Sequence, residues 1–155
     1  EAVSKIKAAV DARRDPDFLI MARTDAAAVQ GFEAAVERAQ KFAEAGADIL
    51  FVEAVTTAEE IRALPQRLAT PQLMNMVIGG KTPIFNAVEL GELGFGIVLY
   101  ANAALQGAVM GMQKALTVLR DEKEVNESSG LVTPFSERQR LVGKPEWDAL
   151  EKRYA

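Results

Sequence analysis

Apolar residues in this chain fall into four short runs separated by helical patterns, and each run stops at a polar residue. Positions 18–22 lead into Arg23-Thr24-Asp25, 49–52 into Glu53, 73–74 into Asn75, and 95–99 into Tyr100-Ala101-Asn102. Runs this short, apolar on both faces, predict strands of a parallel sheet at 18–23, 49–53, 72–77 and 95–100. Between them, Val3, Ile6, Ala9 and Val10 predict a helix over 2–13, stopped by Arg14-Asp15-Pro16-Asp17. Ala34, Ala35, Ala39, Phe42 and Ala43 predict a second, ending near Gly46. Thr57-Ala58-Glu59-Glu60 is a capping-box pattern opening a helix to about Leu64. A short helix over 87–93 follows, then a long one over 103–124. Asn126 to Gly130 reads as a linker before two short helices, 136–142 and 145–154.

Strand–loop–helix units in this order predict an α/β fold in which the C-terminal ends of the strands carry the chemistry. Four such units are half of an eight-stranded barrel, and a half barrel leaves both edges of a parallel sheet open. Either this is an unusual four-stranded sheet or, the expectation favoured here, the C-terminal half of a βα barrel over 1–124 followed by a helical extension over 125–155. The other half of the barrel is expected outside this sequence. The chain opens on Glu1, already within a helical pattern.

Composition narrows the chemistry. The 155 residues are 49% apolar and 26% charged, as in an ordinary globular protein, and the net charge of −4 offers nothing to nucleic acid or an anionic membrane. Cys and His are absent, which removes thiolate chemistry, the commonest general base and the commonest metal ligand. No apolar run approaches the roughly 20 residues of a membrane span. A cytoplasmic location is the default expectation.

The strand-end residues are the candidate site. Arg23 would either pair with Asp25 or Glu53 or present its guanidinium fork to a carboxylate or phosphonate. Asp25 would cap the next helix in preference to orienting Arg23. Glu53, at the end of an apolar strand, needs a cation or hydrogen-bond donors around it. Arg23, a metal through water, or a substrate hydroxyl would serve. Asn75, between Met74 and Met76, needs either a backbone partner or a substrate oxygen. Gly79-Gly80-Lys81-Thr82 lacks P-loop spacing and reads as a tight loop with a solvated lysine. Gly107 and Gly111 give the long helix a small-residue surface for close packing. Trp147 anchors packing, either on its own unit or at a subunit interface.

Ile-Met-Ala-Arg-Thr-Asp-Ala at 20–26, Gly-Ala-Asp-Ile-Leu-Phe-Val-Glu-Ala at 46–54, Asn-Met-Val-Ile-Gly-Gly-Lys-Thr-Pro at 75–83 and Glu-Leu-Gly-Phe-Gly-Ile-Val-Leu-Tyr at 92–100 together resemble the isocitrate lyase/phosphoenolpyruvate mutase superfamily. The tail over 135–147 is similar to its dimethylmalate lyase, oxaloacetate decarboxylase and carboxyphosphonate mutase-like branch. The resemblance implies a TIM (βα)8 barrel, with this chain covering strands five to eight and the C-terminal helices. It also implies Mg²⁺ as cofactor and a small dianionic 2-hydroxy or 2-oxo acid as substrate, cleaved beside an enolate-like oxyanion. Arg23, Glu53 and Asn75 align with the family's substrate-binding Arg, Glu and Asn; Glu53 would reach a metal only through water. No residue here matches the family's acidic metal cluster or its Lys-Cys-Gly-His-type loop, so acid–base and metal-ligating groups are expected from outside these residues. By the same resemblance, homodimers or homotetramers exchange C-terminal helices. Gln106 and the Thr133-Pro134-Phe135 stretch stand where tricarboxylate-cleaving members carry arginines, which favours a dicarboxylate of substituted-malate type. Oxaloacetate decarboxylase, phosphonopyruvate mutase or hydrolase, and a non-catalytic scaffold are the alternatives.

Overall fold

The computed structural model describes residues 1–155, in two compact units, Glu1–Ala103 and Ala104–Ala155. The first contains α1 (Ala2–Ala12), β1 (Met21–Thr24), α2 (Ala26–Gln30), α3 (Phe32–Glu44), β2 (Ile49–Val52), α4 (Ala58–Arg67), β3 (Gln72–Asn75), α5 (Ala87–Leu93) and β4 (Ile97–Leu99). Its strands form one parallel sheet in sequence order, β1-β2-β3-β4. This is the expected βα alternation, and the sheet is part of a TIM-type βα barrel.

Side chains alternate across the sheet. Ala22, Leu50, Val52 and Met74 point to the helices and join Ala35, Val36, Ala39 and Phe42 of α3, Ile61 and Leu64 of α4, and Leu90 of α5 in the main core. Burying each Leu, Ile or Phe in such a layer contributes about 1.5–3 kcal/mol. Ile49, Phe51 and Leu73 form a second, smaller cluster on the opposite face. That face also carries Met21, Ile97 and Leu99, which stay exposed. It is the side that fills the interior of a closed barrel.

Three strand boundaries differ from the sequence reading by two residues or more. The first strand begins at Met21 rather than 18, leaving Phe18 and Leu19 69% and 58% exposed. Opposite them the chain is still turning through Gly46–Asp48. An ion pair from Arg13 to Asp48 at 2.7 Å, with Asp48 also accepting from the Ile20 amide at 2.8 Å, pins this approach instead. The third strand stops at Asn75, although the Met76 amide still donates to the Leu99 carbonyl at 2.7 Å. The fourth begins at Ile97 because Phe95 turns back into the main core, its amide bonded to the Leu90 carbonyl at 3.0 Å. The five-residue α2 was not expected at all; it is too short to show a helical period.

The capping box at Thr57 forms as read: its hydroxyl accepts from the Glu60 amide at 3.1 Å while Glu60 accepts from the Thr57 amide at 3.1 Å. Gln72, buried in β3, donates to the Leu68 carbonyl at 2.9 Å and so fixes the end of α4 to the sheet.

The second unit contains most of α6 (Ala103–Glu122), a 3-10 turn (Glu127–Ser129), α7 (Phe135–Leu141) and α8 (Lys144–Tyr154). None of its helices has a buried residue. Trp147 is 68% exposed, so packing on its own unit is not its role here. No helix is long and apolar enough to cross a membrane.

Candidate active site

The register of the sheet puts three polar side chains at one rim. Arg23 in β1 is paired with Phe51 in β2, and Phe51 with Leu73 in β3. Two residues further along their strands, on the same face, come Glu53 and Asn75. The Glu53 amide donates to the Thr24 carbonyl at 2.9 Å, so the pairing of β1 with β2 carries through to the rim.

Glu53 is the hub. Its Oε2 accepts from Asn75 Nδ2 at 3.2 Å and lies 3.8 Å from Arg23 Nη2, while its Oε1 accepts from the Ala54 amide at 3.2 Å. Ala54 itself holds a left-handed backbone, φ 63°, which is strained for a residue with a Cβ. The Glu53 side chain is 17% exposed and that of Arg23 53%, so the cluster opens to solvent on the arginine side.

Arg23 is gripped from two directions. Asp25 Oδ1 accepts from its Nη2 at 2.6 Å and its Nε at 3.2 Å, and the guanidinium lies over the Phe51 ring, 5.1 Å from its centroid. The bond to Asp25 raises the Arg23 pKa above its ordinary value; burial opposes it, and the charges of Asp25 and then Glu53 add smaller upward contributions. Asp25 stands at the N-cap position of α2, yet its side chain makes no cap hydrogen bond. The expected helix-capping role is therefore corrected: the carboxylate orients Arg23, because a guanidinium two residues away is a stronger donor than a backbone amide.

Asn75 takes a side-chain partner in place of the backbone one. Its amide N–H goes to Glu53, and its Oδ1 is buried without a partner. Turning the amide over would set Oδ1 against an acceptor-only carboxylate, so Glu53 locks its orientation. The loop after β3 is tied back beside the site: Thr82 Oγ1 donates to the Val55 carbonyl at 2.8 Å, while Lys81 remains exposed.

The structure thus brings Arg23, Glu53 and Asn75 together at the C-terminal rim of the sheet. Sequence reasoning missed Phe51 and Ala54. Strand alternation could have found Phe51, which shares a face with Arg23; nothing in the sequence marks a strained Ala54. Mg²⁺ does not fit these residues alone. Nowhere in the chain do three His, Cys, Asp or Glu residues converge, and both Glu53 oxygens are already engaged.

This rim, on a parallel βα sheet, is the setting of barrel enzymes that bind small anions. Residues 1–120 match the family described as phosphoenolpyruvate phosphomutase, and the chain belongs to that family, within the isocitrate lyase/PEP mutase superfamily. It is 39% identical over 155 residues to 2,3-dimethylmalate lyase of Eubacterium barkeri, covering all of this chain and 54% of the relative. With 2-methylisocitrate lyase of Salmonella typhimurium it shares 46% identity over 122 residues, 79% of this chain and 41% of the relative. Among solved structures, an oxaloacetate acetylhydrolase bound to the product oxalate superposes with a TM-score of 0.88 at 29% identity, covering 100% of this chain and 54% of that one. A phosphonopyruvate hydrolase complex with oxalate and Mg²⁺ does so with a TM-score of 0.84 at 29% identity, over 98% and 54%. The chain spans about half the length of the curated relatives it matches.

Proposed function

We propose that this chain supplies the substrate-gripping rim of a Mg²⁺-dependent carbon–carbon lyase acting on a small 2-hydroxy dicarboxylate of substituted-malate type. The observation that carries the reading is the convergence of Arg23, Glu53 and Asn75 on one rim, within a chain whose whole length aligns with 54% of 2,3-dimethylmalate lyase.

In this reading Arg23 neutralises a substrate carboxylate through Nη1, the guanidinium nitrogen with no partner in the chain. Glu53 accepts a hydrogen bond from the C2 hydroxyl. Asn75, one amide hydrogen already given to Glu53, offers the other to a carboxylate on the departing half. Cleavage passes the hydroxyl proton to a base from outside these residues and forms a C2 carbonyl as the C2–C3 bond breaks. The electron pair passes into the neighbouring carboxylate, and a proton then reaches C3. Fixed donors around the developing charge favour that step over binding alone. The proton donor and the Mg²⁺ ligands would come from outside these residues, and none of the roles given to Arg23, Glu53 or Asn75 depends on the metal. A dicarboxylate suits the chain better than a tricarboxylate, since Gln106 and Thr133-Pro134-Phe135 bring no arginine to the extra carboxyl group.

The exposed apolar residues of the second unit, among them Leu116, Phe135, Leu141 and Trp147, suit helices exchanged between subunits of a homodimer or homotetramer. A cytoplasmic location belongs to the same reading, as does the division of the intact protein into barrel and helical extension near residue 124. Phosphonopyruvate chemistry is the second reading, favoured by the phosphonopyruvate hydrolase likeness and by a guanidinium equally suited to a phosphonate.

The test is to assay the intact protein on 2,3-dimethylmalate, oxaloacetate and phosphonopyruvate, with Arg23→Lys alongside. The lyase reading expects the highest kcat/KM on dimethylmalate and a loss of about 100-fold or more in Arg23→Lys with little change in Tm. Preferred turnover of phosphonopyruvate would select the second reading, and no turnover of any of the three would leave the scaffold alternative.

A further inference from the structure

Asp25 occupies one edge of the Arg23 guanidinium and leaves only part of it open. Both Nε and Nη2 point at Asp25 Oδ1, at 3.2 and 2.6 Å, and Nη2 also faces Glu53 Oε2 at 3.8 Å. The Nε–Nη2 edge is the side on which a guanidinium usually meets a carboxylate in a two-bond fork. Nη1 alone is left without a partner. Beneath the plane, the Phe51 ring restricts tilting of the group.

We propose that Asp25 is a positioning residue: it clamps the Nε–Nη2 edge of Arg23 over Phe51, so that the Nη1 end is presented to a carboxylate ligand. The proposal deepens the functional reading above and rests on Arg23 being an anion-binding residue. An arginine side chain free in solvent samples many rotamers, and ordering it on binding weakens the complex. A local clamp removes that penalty beforehand. Asp25 has no other task in the structure, since it caps nothing and its remaining oxygen has no partner.

Electrostatics and positioning predict opposite signs, and this makes the idea testable. If Asp25 acted only as a nearby negative charge, removing it would tighten anion binding. If it positions Arg23, Asp25→Ala should weaken binding, while Asp25→Asn, which keeps the Oδ1 acceptor and loses the charge, should not. Oxalate binding to the intact protein in the presence of Mg²⁺, measured by titration calorimetry, is expected to weaken by about three- to tenfold in Asp25→Ala. Asp25→Asn should bind at least as tightly as the unaltered protein. Tighter binding by Asp25→Ala would overturn the proposal.

A second arm needs no ligand. In protein labelled with 15N-arginine, the Arg23 Nε–H signal should be ordered and slow to exchange in the unaltered protein and in Asp25→Asn. It should become mobile in Asp25→Ala. Equal mobility in all three would overturn the clamp. Failure of the unaltered protein to bind oxalate, with the signal still ordered by Asp25, would instead overturn the anion-site reading on which the proposal is built.

Discussion

Asn75 donates to Glu53 across 3.2 Å while its own carbonyl oxygen stays buried and unpaired. The two halves of this amide act in opposite directions on stability. A hydrogen bond to a charged group contributes about 1.5–3 kcal/mol, and an orphaned buried acceptor costs about 1–3 kcal/mol. Asn75→Ala removes both, so its effect on unfolding free energy should stay within about 1 kcal/mol. Its effect on kcat/KM should be far larger, because Glu53 then loses the partner that fixes Oε2. Urea unfolding and steady-state kinetics on the same variant check this; a large loss of stability with unchanged kinetics would make Asn75 a structural residue.

Ala54 pays for its place beside Glu53 in backbone strain. An alanine in the left-handed region is disfavoured by roughly 1–2 kcal/mol, of which glycine would recover part while adding unfolded-state entropy. Ala54→Gly should therefore stabilise the chain by about 0.5–1 kcal/mol, read as a rise in Tm. It should not raise kcat, since a looser turn holds the amide less firmly against Oε1.

Glu33 on α3 and Arg67 on α4 form a two-bond ion pair, at 3.1 and 2.9 Å, that ties two helices together on the surface. The pairing hydrogen bonds hold the Glu33 carboxyl below its ordinary value of 4.5. A carboxylate lowered on folding adds stability that is fully present above the unfolded value and disappears as pH falls through the folded one. Thermal scans of the unaltered protein and Glu33→Gln should thus differ by a small, constant amount from about pH 6 upward and converge in acid below the ordinary carboxylate range. A difference that persisted or grew in acid would exclude the pair as its source.

Much of this protein was legible in the order of its residues. Short apolar runs bounded by turn residues read as strands covered on both faces, so the runs at 49–52 and 73–74 marked β2 and β3, and the capping box at Thr57 followed from local donor and acceptor chemistry alone. The resemblance to the family rested on short motifs at the strand ends, which local sequence also carries, and the family match over residues 1–120 bears it out. Pairing is not local. Whether Phe18 and Leu19 belong to a strand depends on a turn about 28 residues later, at Asp48, whose side chain bonds the Ile20 amide. The division of Asp25 between capping α2 and holding Arg23 was decided by where the guanidinium lies, over Phe51 of the next strand. The union of Arg23, Glu53 and Asn75 required parallel register across three strands, which sets residues some 20 to 50 positions apart within hydrogen-bond or ion-pair reach. Side-chain identity and near-neighbour energetics wrote the elements, while long-range hydrogen bonding between strands chose which polar groups would meet.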